Sequence, residues 1–290
     1  MYEENRNPLP HEDASVVFAK QLAEMKRHAS AAHAADITPE TVLRWANKKN
    51  ETHFSAICRR LLLPGSGIEG SANLDQLVKL ASEGSSCLLC LNHRSNLDVP
   101  TLFTLLEDHA DAELFRRIVW LAGRKLEEDS GLTRLLIQCF NRVIVTPPSW
   151  FASQRTDDEL HQAKMVNIAA DRAVAKLRHE GWILGLFPSA TRIRPGVEST
   201  QHAIEQTDSY LRMFQYLLLC NIDGCTLPVS HDRDFIHESP RLDRMIYTFG
   251  PVQSTKEWRS EAASRFPNLN QRMASAHAIR EDIEALAPGN

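Results

Sequence analysis

Ser86-Cys87-Leu88-Leu89-Cys90-Leu91-Asn92-His93-Arg94-Ser95-Asn96-Leu97-Asp98 decides the reading of the fold. Residues 86–91 are a compact apolar run that reads as a strand, and residues 99–106 resume as a helix with Pro100 in its first turn. Working outward, the same alternation recurs. Upstream, residues 73–82 carry Leu74, Leu77, Val78 and Leu80 at helical spacing. Downstream, residues 117–122 and 142–145 read as strands around a helix near 132–140. Residues 158–178 read as a long helix stopped by Gly181, and 182–188 as a buried strand. Residues 207–219 read as a strongly apolar helix, and 225–229 as another strand. Short apolar strands alternating with helices predict an α/β fold: a mixed, largely parallel sheet flanked by helices.

The N-terminal part reads differently. Residues 1–12 resemble a loose tail. Asp13 is placed to cap a helix carrying Val16, Val17, Phe18, Leu22 and Met25. Thr38 followed by Pro39 predicts the start of a second helix, with Val42, Leu43, Trp45, Phe54, Ile57 and Leu61, stopped by Pro64 and the glycines after it. The expected organisation is therefore a tail and small helical unit over residues 1–67 and an α/β domain over 68–290. The helical unit holds none of the chemical motifs below and is expected not to be catalytic.

The 290 residues carry 33 Lys and Arg against 37 Asp and Glu, a net charge of −4, which gives no general attraction to nucleic acid or to an anionic membrane. An anion site must therefore be a local cluster. The 6 scattered cysteines predict reduced thiols and an intracellular, cytoplasmic protein. The first residues lack the basic and apolar regions of a signal peptide. No apolar run approaches the ~18 residues of a membrane span, so any lipid is expected to be met from outside the bilayer, by peripheral contact at its inner face.

Two patterns are decoys. Gly65-Ser66-Gly67-Ile68-Glu69-Gly70 fits a dinucleotide-binding fingerprint, but a charged helix and Pro64 precede it where a strand is required; a linker is the expected role. Cys87 and Cys90 lie three apart in a strand, so they face opposite sides of the sheet. Core thiols are expected there rather than a metal site.

The chemistry lies at strand ends. His93 follows an apolar strand, at the edge where open α/β sheets place their sites, and Asp98 follows five residues later. A carboxylate folded back on a histidine fixes its tautomer and makes it a general base. The competing reading has Asp98 as a helix cap and His93 as an ordinary turn residue. A second strand ends in Leu186-Phe187-Pro188-Ser189-Ala190-Thr191-Arg192-Ile193-Arg194-Pro195-Gly196, placing two arginines at a similar edge. Guanidinium forks suit phosphate, although a solvated basic turn has the same composition.

Together these segments resemble the glycerolipid acyltransferases, which include glycerol-3-phosphate and lysophosphatidate acyltransferases. Asn92, His93 and Asp98 match the Asn-His-x4-Asp motif; Phe187, Pro188, Thr191 and Arg192 match the Phe-Pro-Glu-Gly-Thr-Arg motif, with Ser189 and Ala190 in place of Glu and Gly. The Pro-Ser…Arg-x-Arg-Pro form is closest in style to the soluble plastid-type glycerol-3-phosphate acyltransferases. Asn73-Leu74-Asp75 resembles the approach to the site in that branch, and Leu227-Pro228-Val229 with Ser230-His231-Asp232 resembles the family's last motif.

The resemblance covers about residues 68–235. It implies direct transfer of a fatty acyl group from acyl-CoA or acyl-carrier protein to the hydroxyl of glycerol 3-phosphate, a step in phospholipid biosynthesis, without a cofactor or metal. His93 is then the base and Asp98 its support, with backbone N–H groups near residues 96–99 stabilising the oxyanion. Arg192 and Arg194, with Ser189 and Thr191, hold the acceptor. The Lys-His pair of the soluble branch is missing from residues 143–150, which leaves Arg124, Lys125 and Arg142 as substitutes. The apolar stretch 207–219 is a candidate wall for an acyl channel or a plain core element. Lysophosphatidate, a non-phosphorylated acceptor, or a catalytically silent lipid- or carrier-binding role are the alternatives.

Overall fold

The computed structural model describes residues 13–28, 36–109, 116–128, 134–135, 137–194, 196–200, 202–229 and 238–287. The expected N-terminal tail, residues 132, 133 and 136 of the helix near 132–140, and the Ser230-His231-Asp232 match lie outside these residues; within that helix, residues 134, 135 and 137 are helical and 138–140 are turn and bend.

In chain order the helices are α1 (Ala14–Val17), α2 (Ala19–His28), α3 (Lys48–Leu61), α4 (Ser71–Ser82), α5 (Asp98–Leu106), α6 (Lys125–Glu128), α7 (Pro148–Phe151), α8 (Asp157–Leu177), α9 (Thr207–Leu211), α10 (Thr255–Arg265) and α11 (Gln271–Glu284). The strands are β1 (Leu43–Arg44), β2 (Gly67–Glu69), β3 (Cys87–Leu91), β4 (Ile118–Gly123), β5 (Asn141–Val145), β6 (Ile183–Leu186), β7 (Tyr216–Asp223), β8 (Ile246–Phe249) and β9 (Gln253–Ser254). They form one nine-stranded sheet, ordered β1-β5-β4-β6-β3-β7-β8-β2, with β9 pairing β7. The five central strands, β5-β4-β6-β3-β7, are mutually parallel, while β1, β8 and β9 pair antiparallel with their neighbours β5 and β7.

The expected α/β architecture is present, and the apolar strands show why. Along β3, Cys87, Leu89 and Leu91 join a core beneath α1–α5, while Leu88 and Cys90 join the opposite core beneath α8–α11. A strand covered on both faces must be apolar at every position. Cys87 and Cys90 consequently face opposite layers, as their spacing predicts. Burial pushes the Cys87 thiol up to about 12 and Cys90 higher still.

Three expectations are corrected. The apolar stretch 207–219 is not one helix: α9 ends at Leu211 and residues 216–223 are β7, with Leu217 and Leu219 facing one core and Leu218 and Cys220 the other. A continuous apolar run of this length fits a two-faced strand as well as a helix. Residues 225–229 are consequently not a strand; the strand expected there has already run past in β7. Thr38 and Pro39 start no helix. Thr38 N donates to Thr41 Oγ1 (2.9 Å) in a local turn, and the helix begins after Asn47, whose side chain accepts from Lys49 N (3.1 Å).

The glycine-rich stretch is also more than a linker, because Gly67, Ile68 and Glu69 pair in parallel with Ile246, Tyr247 and Thr248 of β8. Residues before 67 are tied into the same body, since β1 pairs with β5 and Phe54, Ile57 and Leu61 of α3 are buried in the first core.

Candidate active site

β3 delivers His93 two residues past its C-terminal end, between the ends of its neighbours β6 and β7. The chain leaves β3 toward β4 on one side, and leaves β6 toward β7 on the other. Such a reversal opens a crevice at the carboxyl ends of the strands. Asn92 holds the strand end in place: its Nδ2 donates to Asn221 Oδ1 (2.9 Å) and Ile222 O (3.1 Å), and its Oδ1 accepts from Ile222 N (2.7 Å). This amide replaces the sheet hydrogen bonds that β3 would otherwise continue making to β7.

His93 Nδ1 lies 2.8 Å from Asp98 Oδ2. Asp98, 1% exposed, also accepts from Arg94 N (2.7 Å), Ser95 N (3.0 Å) and Ser95 Oγ (3.2 Å). A buried carboxylate is tolerable only when satisfied in this way. Asp98 is the first residue of α5 but does not cap that helix; its carboxylate binds the amides of the preceding turn and holds His93. With Nδ1–H committed to Asp98, Nε2 is left as the acceptor nitrogen. Tyr247 of β8 donates to Asp98 O (2.7 Å). Burial pushes its phenol well up, so it remains a donor.

The His93 ring stacks on Phe187 (centroids 3.9 Å, planes 13° apart), and Phe187 stacks on Trp120 (5.5 Å, 21°). Trp120 sits opposite Gly185 in the sheet, and a Cβ on Gly185 would fall 2.7 Å from its ring. The glycine thus makes room for the indole that supports the stack. Gly185→Ala is expected to cost about 1–3 kcal/mol through this clash and to lower kcat as His93 is displaced. A variant with an unchanged denaturation midpoint and normal turnover would show that the stack does not position His93.

The turn after β6 closes the other side. Ile193 N donates to His93 O (2.7 Å), and Pro188 O accepts from Ile204 N (2.8 Å). Ala190 stands where the resembling motif has glycine and adopts φ +52°, the left-handed region. A left-handed L-residue costs about 1–2 kcal/mol, partly offset by the greater entropy of unfolded glycine, so Ala190→Gly is expected to stabilise by roughly 0.5 kcal/mol. A lower midpoint in urea would contradict this.

A cavity of about 380 Å³ opens at these strand ends, lined by Asn92, His93, Arg94, Pro188, Ser189, Ile193 and Asn221, and on the far side by Arg280, Ile283, Glu284 and Ala287. Of the residues singled out from sequence, His93 and Ser189 line it, as do Asn92 and Pro188 of the matched motifs. Arg192, Arg194 and Thr191 do not. Arg192 forms an ion pair with the fully buried Glu238, whose carbonyl accepts from Ala14 N, and so ties the turn to α1. Arg194 N donates to Thr200 Oγ1 (2.9 Å), and Ser189 Oγ donates to Thr191 O (2.6 Å).

The substitutes for the missing Lys-His pair are elsewhere. Arg142 is 0% exposed and bound to Glu127 (2.5 Å), with burial drawing its pKa down. Arg124 pairs with Glu128 (2.7 Å) and lies over the Trp150 ring (4.6 Å), while Lys125 is exposed at the start of α6. None of the three lines the cavity. The amides of Arg94, Ser95, Leu97 and Asp98 are spent within their own turn, so these four are not free to receive an oxyanion.

Sequence reading missed Asn221, Arg94 and Arg280. Arg94 stands inside the first motif, adjacent to His93, and was the most findable. Arg280 carries no local signal at all.

The buried Asp98 carboxylate and His93 thus form a hydrogen-bonded pair at a strand-end crevice, with Nε2 of the imidazole left to accept. Residues 68–229 match the family model described as Acyltransferase, and the chain belongs to that family. No curated protein matches the chain in a sequence search. Membership implies transfer of an acyl group from a donor to an acceptor. Among the described residues, no helix is long and apolar enough to cross a membrane.

Proposed function

We propose that this chain transfers a fatty acyl group from an acyl thioester, acyl-CoA or acyl-carrier protein, to a hydroxyl of glycerol 3-phosphate in phospholipid biosynthesis. The observation that carries the reaction is the 2.8 Å His93–Asp98 contact beside a cavity that His93 lines. The acceptor hydroxyl approaches His93 Nε2, which takes its proton as the oxygen bonds to the thioester carbonyl carbon. Asp98 stabilises the imidazolium that forms. The tetrahedral intermediate then collapses, the C–S bond breaks, and the departing thiolate recovers the proton from His93. No covalent acyl-enzyme is required. Holding hydroxyl and base together in the cavity supplies the orientation on which direct transfer depends. The acyl product is a lipid, and its release is proposed to occur at a cytoplasmic membrane surface that the chain contacts peripherally.

The test is release of free thiol from acyl-CoA and from acyl-carrier protein, measured against a panel of phosphorylated and neutral glycerol acceptors. Thiol release that depends on glycerol 3-phosphate is the expected result. Turnover with lysophosphatidate or an uncharged alcohol alone would replace the acceptor while keeping the reaction. Absence of acceptor-dependent release with every member would leave a binding protein.

A further inference from the structure

We propose that Arg280, together with Arg94, forms the subsite that recognises the phosphate monoester of the acceptor. This rests on the acyl-transfer reading above, and it moves anion recognition away from the motif arginines. The cavity that holds His93 is bounded by two cationic side chains, Arg94 and Arg280, and by neither Arg192 nor Arg194. Arg94 is anchored through Nε to Ile222 O (3.1 Å), and its terminal nitrogens have no hydrogen-bond partner among the described residues. Arg280 belongs to α11, outside residues 68–229, so the family's defining stretch does not contain it.

The two candidate arginine sets differ in what a phosphate must displace. Arg192 is paired with Glu238, which is 0% exposed. Withdrawing that guanidinium would break a buried ion pair, at a cost of about 3–5 kcal/mol. A charge-assisted bond to phosphate returns only about 1.5–3 kcal/mol. Arg192 therefore stays where it is. Arg280 pairs with Glu284 (2.8 Å), one helical turn away and 56% exposed. Such a surface pair contributes about 0.3–0.5 kcal/mol, and water satisfies the released carboxylate. A phosphate displaces it readily. Arg280 also contacts His202 Nδ1 (3.3 Å), which holds the guanidinium at the cavity edge.

Arrangement of the remaining lining agrees. Ile193, Ile283, Ala203 and Ala287 give apolar walls, and Glu284, the one carboxylate of the lining, is already paired with Arg280. Few, placed polar groups in an otherwise apolar cavity are the usual form of a small-molecule site. The hydroxyl end of the acceptor would face His93 and the phosphate end the arginines.

Binding of glycerol 3-phosphate by titration calorimetry, in parallel with acceptor kinetics, tests this. Arg280→Ala is expected to weaken glycerol 3-phosphate binding at least tenfold and to raise its KM similarly, with kcat and the KM of the acyl donor within about twofold. Arg280→Lys should recover part of the loss, since an ammonium cannot reproduce the fork. Glu284→Gln, which frees Arg280, should tighten binding. Arg94→Lys, which retains charge but loses the Ile222 anchor, should weaken it. Wild-type protein that binds glycerol 3-phosphate through Arg280 but transfers no acyl group would defeat the reaction reading and leave this subsite standing. Undetectable wild-type binding, Arg280→Ala binding as tightly as wild type, or a change confined to the donor KM would each overturn it.

Discussion

His93→Ala is expected to lower kcat for acyl transfer by about 10²–10⁴-fold, the contribution typical of a positioned general base. The fold should survive. Asp98 loses one of its partners but keeps Arg94 N, Ser95 N and Ser95 Oγ, so no buried charge is orphaned. The lost stacking on Phe187 is worth roughly 0.5–1.5 kcal/mol, a small part of the stability of a chain this size. Acceptor binding should change little, because the anion contacts remain. Asp98→Asn is expected to lower turnover too, but with a second consequence. Its amide NH₂ would face the N–H groups of Arg94 and Ser95 that now donate to a carboxylate, so it should unfold at lower denaturant concentration than His93→Ala. Comparing the two variants by circular dichroism, urea midpoint and single-turnover rate separates loss of the base from damage to the turn. Near-normal kcat in a folded His93→Ala protein would remove the mechanism.

Legibility of the site follows the range of the interactions that make it. His93 and Asp98 lie on one strand-turn-helix, so local spacing brought them together without knowledge of the rest of the chain. Phe187 and Pro188 were legible for a similar reason: a second apolar strand ends there and must deliver them to the same edge. Facing was not legible. The run 214–220 is apolar at nearly every position, and only the presence of helices on both sides of the sheet makes it β7 rather than the end of α9. Nor does composition show which arginines are already engaged. Arg192 looks free in the sequence because Glu238 is 46 residues away and reaches it only in the folded chain. Arg280 looks like an ordinary surface residue of α11, because the cavity it borders is made by β3, β6 and β7. The motif therefore located the His93–Asp98 pair, which is local, and not the cationic side chains that line the cavity.

The largest effect on stability is expected at a residue with no part in the reaction. β1 and β5 place Arg44 directly opposite Arg142, two like charges across an antiparallel pair. Both are buried, at 6% and 0% exposed, and Glu127 accepts from each: Arg142 Nε at 2.5 Å and Arg44 Nη1 at 2.9 Å. One carboxylate thus bridges two guanidiniums inside the protein. Removing one partner of a buried ion pair costs about 3–5 kcal/mol, and Glu127→Ala strips two cations at once, so its cost should reach at least the upper part of that range. Total stability is typically about 5–15 kcal/mol. Glu127→Ala is therefore expected to be largely unfolded or insoluble at 37 °C, and Glu127→Gln, which keeps hydrogen-bonding capacity without the charge, to fall between it and wild type in urea midpoint. Replacing the whole group with apolar residues should restore much of the loss, since the burial of all three charges is then avoided. The triple variant Arg44→Met, Glu127→Leu, Arg142→Met also separates two roles for Arg142. As a structural cation, it can be lost in this background with no change in the KM for glycerol 3-phosphate. Were it a substitute for the missing Lys-His pair at the acceptor, the repacked protein would fold and yet show a KM raised tenfold or more.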